Sequence, residues 1–136
     1  MGADANRPRV LRALKLLHGV AIESPIKAGT PDVNFCEGWV ELKTLKAWPV
    51  RPDTIVRLPH YTLHQRRWLR DRWRVGSSAW LLLSVRREWL LFTGQDAHDK
   101  AGKVTKEELI NMAYQYWPNG LNDAELRRTL TSWEGA

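Results

Sequence analysis

Apolar and polar positions in this chain follow two periods, one typical of helices and one typical of strands. Apolar residues spaced by three and four predict amphipathic helices, and short apolar runs bounded by glycine or charged residues predict strands. The predicted order is helix, two strands, helix, two strands, and then two helices. These elements cover residues 7–18, 33–36, 39–42, 60–74, 76–85, 88–92 and 105–116, with a last short helix from residue 122. The order predicts an α/β fold in which helices flank a mixed, largely buried β-sheet.

The first two predicted strands form a hairpin that gathers polar side chains on one face. They flank Glu37 and Gly38, which predict a two-residue turn because glycine tolerates a positive φ. Such a turn pairs Asn34 with Glu41, and side chains along each strand alternate between the faces of the sheet. One face then carries Val33, Phe35, Val40 and Leu42. The opposite face carries Asp32, Asn34, Glu41 and Lys43.

This polar face has the side chains that metal-dependent hydrolysis of a phosphodiester requires. Two adjacent carboxylates repel each other, and a bound cation or a nearby ammonium allows both to stay ionised. Oxygen ligands suit Mg²⁺ or Mn²⁺ rather than zinc, and Lys43 could hold a water or neutralise charge in the transition state. Asp32 and Glu41 are therefore candidate metal ligands. The alternative is an exposed hairpin with an ordinary surface ion pair.

The residues around this hairpin carry a longer motif. Glu23-Ser-Pro-Ile-Lys-Ala-Gly-Thr-Pro-Asp32 leads into it, and Glu41-Leu42-Lys43 lies within it. The combined pattern resembles the PD-(D/E)XK nuclease superfamily, and within it the small phage-encoded nucleases and the Holliday junction resolvases. The resemblance implies that Asp32 and Glu41 bind Mg²⁺, for which Mn²⁺ would substitute, and that Lys43 is the catalytic lysine. It also implies an upstream glutamate ligand, a role that Glu23 matches.

The resemblance extends over residues 8–94 and implies a restriction-endonuclease-like core in that range. Many nucleases of the superfamily carry a glutamine on the helix after the catalytic strand, near the active site. Gln65 matches this glutamine, and apolar spacing places it on the largely apolar face of the helix predicted over 60–74. The resemblance thus implies a catalytic role for Gln65. The alternative is a buried amide that the backbone satisfies.

Length and composition limit the class of protein. A chain of 136 residues is predicted to form one domain, residues 1–136, whose core needs neither metal nor disulfide support. Its single cysteine excludes an internal disulfide and is typical of a reducing cytoplasm, that of the host cell if a phage encodes the protein. No segment has the run of about twenty apolar residues that spans a membrane. No dinucleotide or phosphate-loop motif predicts a nucleotide cofactor.

A formal net charge of +6 and a pI near 9.8 indicate a polyanionic partner. Arginines concentrate on the helix predicted over 60–74, where helical spacing turns several of them away from Tyr61, Gln65 and Leu69. This arginine face comprises Arg66, Arg67, Arg70 and Arg74. It predicts a surface that follows the phosphates of DNA. The alternative is a solvated basic face.

The loop after the catalytic strand is a second candidate DNA contact. Lys46 adds positive charge there, and Trp48 lies in the proline-bearing segment Lys46-Ala-Trp-Pro-Val. A tryptophan in such a loop can stack on an unpaired base at a branch point. The alternative is that Trp48 covers an edge of the core.

Residues 95–136 lie outside the resemblance and are predicted to form a helical extension. Thr105 and Glu108 form a capping-box motif that opens one helix, and Asn122 to Glu125 opens another. Apolar residues recur at helical spacing in this extension: Leu109, Met112, Ala113, Tyr116, Leu126, Leu130 and Trp133. They predict a surface for dimerisation. The alternative is that they cap their own domain.

Together these features predict a Mg²⁺-dependent DNA endonuclease. The narrower expectation is a Holliday junction resolvase that acts as a homodimer on four-way or otherwise branched DNA, since two symmetric cuts require two sites related by a two-fold axis. One alternative is a nickase or exonuclease of the same superfamily that acts on replication intermediates. Another is a basic DNA-binding module whose carboxylates are structural.

Overall fold

Six strands lie side by side in the order of the chain and form one mixed sheet. The computed structural model describes residues 2–22 and 29–132. The strands are β1 (Val20–Ala21), β2 (Val33–Phe35), β3 (Gly38–Leu45), β4 (Ser78–Val85), β5 (Glu88–Thr93) and β6 (Gln115–Trp117). The helices are α1 (Gly2–Ala13), α2 (Leu63–Arg74), α3 (Gly94–Asp99), α4 (Lys106–Met112) and α5 (Asp123–Ser132). This architecture confirms the predicted α/β class with a mixed sheet flanked by helices.

Neighbouring strands pair antiparallel, with the exception of β3 and β4. These two run parallel, with Gly38 opposite Ser78 and Leu45 opposite Val85. Parallel neighbours need a long crossover connection, and α2 lies in that connection. All eight residues of β4 are buried. Burial on both faces explains why its sequence is a continuous apolar run rather than an alternating one.

The sheet separates two apolar cores. Helices α1 and α5 cover one face, and helices α2, α3 and α4 cover the other. The first core includes Val10, Leu14, Val40, Leu82, Leu126 and Leu130. The second core includes Leu69, Leu81, Leu83, Phe92, Ala97 and Leu109. Alternate residues of each central strand belong to opposite cores, as the pleat of a strand requires.

The hairpin of β2 and β3 differs from the predicted one in its register. Cys36 and Glu37 form the turn, so Asn34 pairs with Trp39 and not with Glu41. Each partner is therefore displaced by two residues from the predicted one. Since side chains alternate with a period of two, this displacement leaves the predicted polar and apolar faces unchanged.

Gly38 gives the physical reason for this register. It lies at the start of β3, where a Cβ atom would be 1.6 Å from the backbone oxygen of Ser78 in β4. Only glycine allows the two strands to approach so closely. The predicted turn is wrong because it assigns this glycine to a positive φ, whereas it serves a close contact between strands.

The first helix ends earlier than predicted. Periodicity predicts a helix over 7–18, whereas α1 ends at Ala13 and a turn of 3₁₀ helix follows at Lys15–Leu17. His18 closes that turn with a φ of 60°, in the left-handed region. The predicted carboxyl end of this helix is therefore wrong, whereas its helical conformation over residues 7–13 is confirmed.

The carboxyl-terminal region contributes a strand to the sheet. The predicted capping box of Thr105 and Glu108 is confirmed at the start of α4. The helix predicted over 105–116 is too long, because α4 ends at Met112 and the chain then forms β6 against β5. The short helix predicted after Asn122 is confirmed as α5. A purely helical extension is therefore wrong.

The apolar residues of this region pack into their own domain. Leu109 is fully buried in the second core, and Leu126 and Leu130 are fully buried in the first. Met112, Ala113 and Tyr116 pack partly buried against the second core. The alternative that these residues cap their own domain is confirmed, since buried side chains are not available to a second subunit. Trp133 lies outside the described residues.

The helices of the described chain are short. The longest, α1 and α2, have 12 residues each, whereas a membrane span needs about twenty. Within residues 2–22 and 29–132, no helix is long and apolar enough to cross a bilayer.

Candidate active site

Glu41 is a buried carboxylate in the middle of β3, and it is 1% exposed. It faces α2, because Trp39 on the same side of the strand contacts Trp68 of α2 with ring centroids 5.6 Å apart. Its Oε2 lies 3.3 Å from Nζ of Lys43. Its Oε1 is also buried, and no donor in the described part of the chain reaches it. Since a buried oxygen without a donor is destabilising, a cation at this position would stabilise the protein.

Asp32 lies beside Glu41. It directly precedes β2, and continuing the register of the hairpin by one residue places it opposite Glu41. Its Oδ2 accepts a hydrogen bond of 2.9 Å from the backbone N–H of Leu42. Its Oδ1 lies 3.5 Å from a guanidinium nitrogen of Arg7 in α1. These contacts hold the Asp32 carboxylate within hydrogen-bonding reach of the Glu41 carboxyl.

Lys43 follows Glu41 by two residues, so both side chains point to the same face of β3. Its Nζ donates a hydrogen bond of 3.0 Å to the backbone carbonyl of His60. The ring centroid of Tyr61 lies 5.8 Å from the same nitrogen. An ammonium has three N–H groups. The contacts with Glu41 and His60 therefore orient Lys43 and leave a third N–H for a ligand.

The pKa of Glu41 is raised from 4.5 to about 8. Burial is the largest cause, the negative charge of Asp32 adds to it, and the positive charge of Lys43 opposes both. At neutral pH the metal-free protein therefore keeps a proton on Glu41. A divalent cation can replace this proton, because it compensates the charges of both carboxylates.

The two carboxylates fit a hard divalent cation. Mg²⁺ in proteins usually takes one or two carboxylates, several waters and a phosphate of the substrate. Asp32 and Glu41 would supply these carboxylates from two neighbouring parts of the hairpin. Glu23, the predicted third ligand, lies outside the described residues. Within residues 2–22 and 29–132 there is no group of three or more His, Cys, Asp or Glu that could hold a metal, so in these ranges Asp32 and Glu41 are the candidate ligands.

Glu41→Gln should stabilise the metal-free protein, and the gain should grow with pH. The unfolded chain releases the Glu41 proton above pH 4.5, whereas the folded chain keeps it to about pH 8. Wild-type protein should therefore lose about 1.4 kcal/mol of stability per pH unit through this window. Glutamine has a similar shape and does not titrate. Thermal unfolding in EDTA at several pH values from about 5 to 9 measures the difference.

Glu37→Gln is the matched control, because Glu37 is an exposed glutamate in the turn of the same hairpin. Its unfolding midpoint should follow that of the wild type at every pH. A Glu41→Gln midpoint that runs parallel to the wild type over the whole range would contradict the raised pKa.

Gln65 lies in the first turn of α2 and caps that helix. Its side-chain Oε1 accepts a hydrogen bond of 2.9 Å from the backbone N–H of Thr62. In return, the backbone N–H of Gln65 donates to Oγ1 of Thr62 at 3.1 Å. The two residues form a capping box. The Gln65 oxygen is thus satisfied by backbone, as the alternative given above expects, but the residue is half-buried rather than buried. A catalytic role for Gln65 stays a prediction.

The Gly-Thr-Pro-Asp segment packs against the start of α2. Gly29 has a φ of +84°, and a Cβ atom there would lie 2.4 Å from the backbone oxygen of His64. Both the left-handed backbone and the close contact require glycine. This contact fixes the amino end of α2 next to the segment that ends at Asp32.

The predicted arginine face contacts α3 at three of its four residues. Arg66 donates to two backbone carbonyls of α3, each at 3.3 Å. Arg70 contacts a ring nitrogen of His98 at 3.0 Å, and Arg74 donates to a side chain of the same helix at 3.1 Å. Arg67 is exposed. These guanidinium groups join α2 to α3, and contact with DNA through this face stays a prediction.

Trp48 is partly buried at the edge of the second core. Its Nε1 donates a hydrogen bond of 2.6 Å to Glu88, and Nζ of Lys106 lies 5.1 Å from its ring centroid. This position agrees with the alternative that Trp48 covers the core. Lys46, two residues earlier, is exposed.

Two groups at the site were not predicted. Arg7 contacts Asp32 from α1, and its position three residues before the buried Val10 was a signal that it shares the inward face of that helix. The carbonyl of His60 holds Lys43. A backbone carbonyl is common to every residue, so no residue type in the sequence could indicate this contact.

The structure brings together three of the residues predicted as catalytic. Asp32, Glu41 and Lys43 meet on the face of the hairpin that α2 covers, and Gln65 lies in the first turn of that helix. Comparisons with protein-family models, curated proteins and solved structures found no match to this chain.

Proposed function

We propose that this protein is a Mg²⁺-dependent DNA endonuclease of the PD-(D/E)XK type, in which Mn²⁺ can substitute. One observation carries the proposal: the buried Glu41 carboxyl lies within hydrogen-bonding reach of the Asp32 carboxylate and beside Lys43. An ion pair of Glu41 with Lys43 alone does not account for this arrangement, because burial and the charge of Asp32 keep a proton on Glu41 in the metal-free protein although Lys43 is beside it. A divalent cation would displace that proton and compensate both carboxylates.

Each residue of the site has its own role in the proposed hydrolysis. Asp32 and Glu41 would hold the cation, and Arg7 and the Leu42 N–H keep Asp32 in place. When bound, Mg²⁺ supplies charge stabilisation to the scissile phosphate and lowers the pKa of a water. The third N–H of Lys43 points to a role at the attacking water or at the phosphate oxygens, where negative charge develops.

The order of the elements supports the same proposal. A helix, a hairpin with an edge strand, a crossover helix and a parallel strand follow one another in residues 2–22 and 29–85. The resemblance implies this order of helix, strands, helix and strands for a restriction-endonuclease-like core. The site lies on β3, next to the parallel strand at the centre of the sheet.

A narrower form of the proposal is a resolvase that acts on four-way junctions. It rests on the resemblance and on the basic charge of the chain, and it requires a homodimer because each chain has one site and a resolved junction needs two symmetric cuts.

Cleavage of matched linear, nicked and four-way-junction DNA tests the function. The protein should cut DNA with Mg²⁺ or Mn²⁺ and leave it intact with EDTA. For a resolvase, the junction should be cut on opposing strands at symmetric positions, and light scattering should give the mass of a dimer. If a monomer cuts all three substrates equally, the protein is a nickase or another nuclease and not a resolvase. Binding of DNA without cleavage at any metal concentration would instead indicate a binding module with structural carboxylates.

A further inference from the structure

Three exposed cations meet at one end of the two parallel strands. Since Leu45 pairs with Val85 at the carboxyl ends of β3 and β4, the residues that follow are neighbours. Lys46 follows β3, and Arg86 and Arg87 form the turn between β4 and β5. All three side chains are exposed. These three residues are named the strand-end patch.

No carboxylate neutralises the strand-end patch in the described part of the chain. None of its residues is within salt-bridge distance of an acid there. The nearest acid in sequence is Glu88, and both of its oxygens are occupied. One accepts from Nε1 of Trp48 at 2.6 Å, and the other accepts from the hydroxyl of Tyr116 at 2.5 Å. Within the described residues, the three positive charges of the patch are therefore not engaged in ion pairs.

The backbone at Arg86 is strained in a way that glycine would relieve. Its φ is 57°, in the left-handed region that β-carbon atoms disfavour. Strain of this kind at an exposed residue is a reason to look for a function of the side chain. A guanidinium at the tip of a hairpin is suited to phosphate oxygens, which it can bind through two N–H groups.

The strand-end patch also lies at a defined distance from the candidate active site. Lys46 follows Lys43 by three residues, a separation of about 10 Å along an extended strand. This distance is short enough for one DNA strand to contact the patch and the candidate active site together.

We propose that the strand-end patch binds the phosphate backbone of the DNA arm that leaves the cleavage site, within a few nucleotides of the scissile phosphate. This inference rests on the proposed nuclease function. It adds a second phosphate contact to the arginine face of α2, in which Arg66, Arg70 and Arg74 also bind groups of α3.

The test uses a triple variant, Lys46→Ala with Arg86→Gly and Arg87→Ala. Glycine at residue 86 relieves the strained φ, so the variant should not have a lower unfolding midpoint than the wild type. The control replaces Arg12, Lys15 and Lys103 by alanine, because these are also three exposed cations and none of them belongs to the arginine face or to the candidate site. Fluorescence anisotropy with a labelled duplex in EDTA, over a series of NaCl concentrations, gives affinity and salt dependence without cleavage.

The patch variant should bind at least tenfold more weakly, and its slope of log K against log salt should be smaller by about 2 to 3 units, about 0.9 for each lost phosphate contact. The control variant should keep the slope of the wild type. Equal losses in both variants would mean that net charge alone attracts DNA, and this result would overturn the proposal. A wild-type slope in the patch variant would overturn it as well.

Uncharged phosphate analogues in the DNA backbone identify the phosphate that the strand-end patch contacts. Single methylphosphonates are placed at successive positions near the cut, and at one of these positions the change should weaken binding by the wild type but not by the patch variant. An equal effect on both proteins would overturn the proposal. A wild-type protein that binds DNA but never cleaves it would overturn the proposed nuclease function. If the wild type cleaves DNA and the patch variant binds it as tightly as the wild type does, only the proposed role of the patch is overturned.

Discussion

Glu41→Gln should reduce Mg²⁺-dependent cleavage to background while the protein stays folded. The substitution removes the charge that the cation needs and changes the volume very little. The new amide can donate to Asp32 and accept from Lys43, so the buried group keeps its partners. Single-turnover cleavage of a labelled four-way junction measures the rate, and circular dichroism verifies the fold. This loss of activity should accompany the gain in metal-free stability expected for the same variant.

Two further variants make the result specific. Asp32→Asn should give the same loss, because it removes the other carboxylate. Glu37→Gln should cut at the wild-type rate, since Glu37 is exposed in the turn of the hairpin. A wild-type rate in Glu41→Gln would exclude a metal site at this position.

Lys43→Ala should lower the single-turnover rate by a factor of about a hundred or more, while affinity for a four-way junction persists. Loss of one oriented charge that acts in the transition state typically costs about 3 to 4 kcal/mol. Lys43 is 11% exposed and held by Glu41 and His60, so it can contribute little to binding of DNA from solvent. Cleavage rates at saturating protein and affinities in EDTA separate the two effects.

The pH dependence of this variant distinguishes two roles of Lys43. Lys43 lowers the pKa of Glu41, so without it Glu41 should keep its proton to a higher pH in the metal-free protein. If Lys43 acts in the transition state, raising the pH and the Mg²⁺ concentration should restore only part of the rate. Complete recovery would show that Lys43 merely keeps Glu41 ionised, and weakened junction binding with an unchanged rate would assign it to DNA contact.

The faces of the hairpin could be predicted because the side-chain period of a strand is two. The predicted pairing of Asn34 with Glu41 is wrong by two residues, yet Asp32, Glu41 and Lys43 stay together. An error of one residue would have sent Glu41 into the first core. The sequence could not reveal the true register, because the reason for it is the contact of Gly38 with Ser78 on a strand far along the chain.

The surroundings of α2 could not be predicted from periodicity. Helical spacing locates α2 itself, with its apolar and arginine faces, but it does not identify the neighbour that covers each face. The neighbour of the arginine face is α3, a helix of six polar and small residues that shows no apolar period. Thr93 caps this helix through a hydrogen bond to the N–H of Asp96. Three of the four arginines that the sequence predicts to follow DNA phosphates therefore contact a helix that the sequence does not indicate.

The strand in the carboxyl-terminal region could not be predicted from the sequence either. The capping box at Thr105 is a local feature and is confirmed. The three residues of β6 are a strand only because β5 offers a free edge. The apolar spacing that predicts a helix continues past Met112, whereas Tyr116 and Trp117 are residue types that are enriched in strands.

The two edges of the sheet limit how two copies of this chain could associate. In the described residues, β1 has two residues and β6 has three. Long, flat edge strands recruit strands of other molecules, and short ones suppress this edge-to-edge aggregation. A dimer formed by extending the sheet from one subunit into the next would gain few backbone hydrogen bonds at either edge. The two-fold contact that junction resolution requires would therefore have to form between side chains on helices or loops.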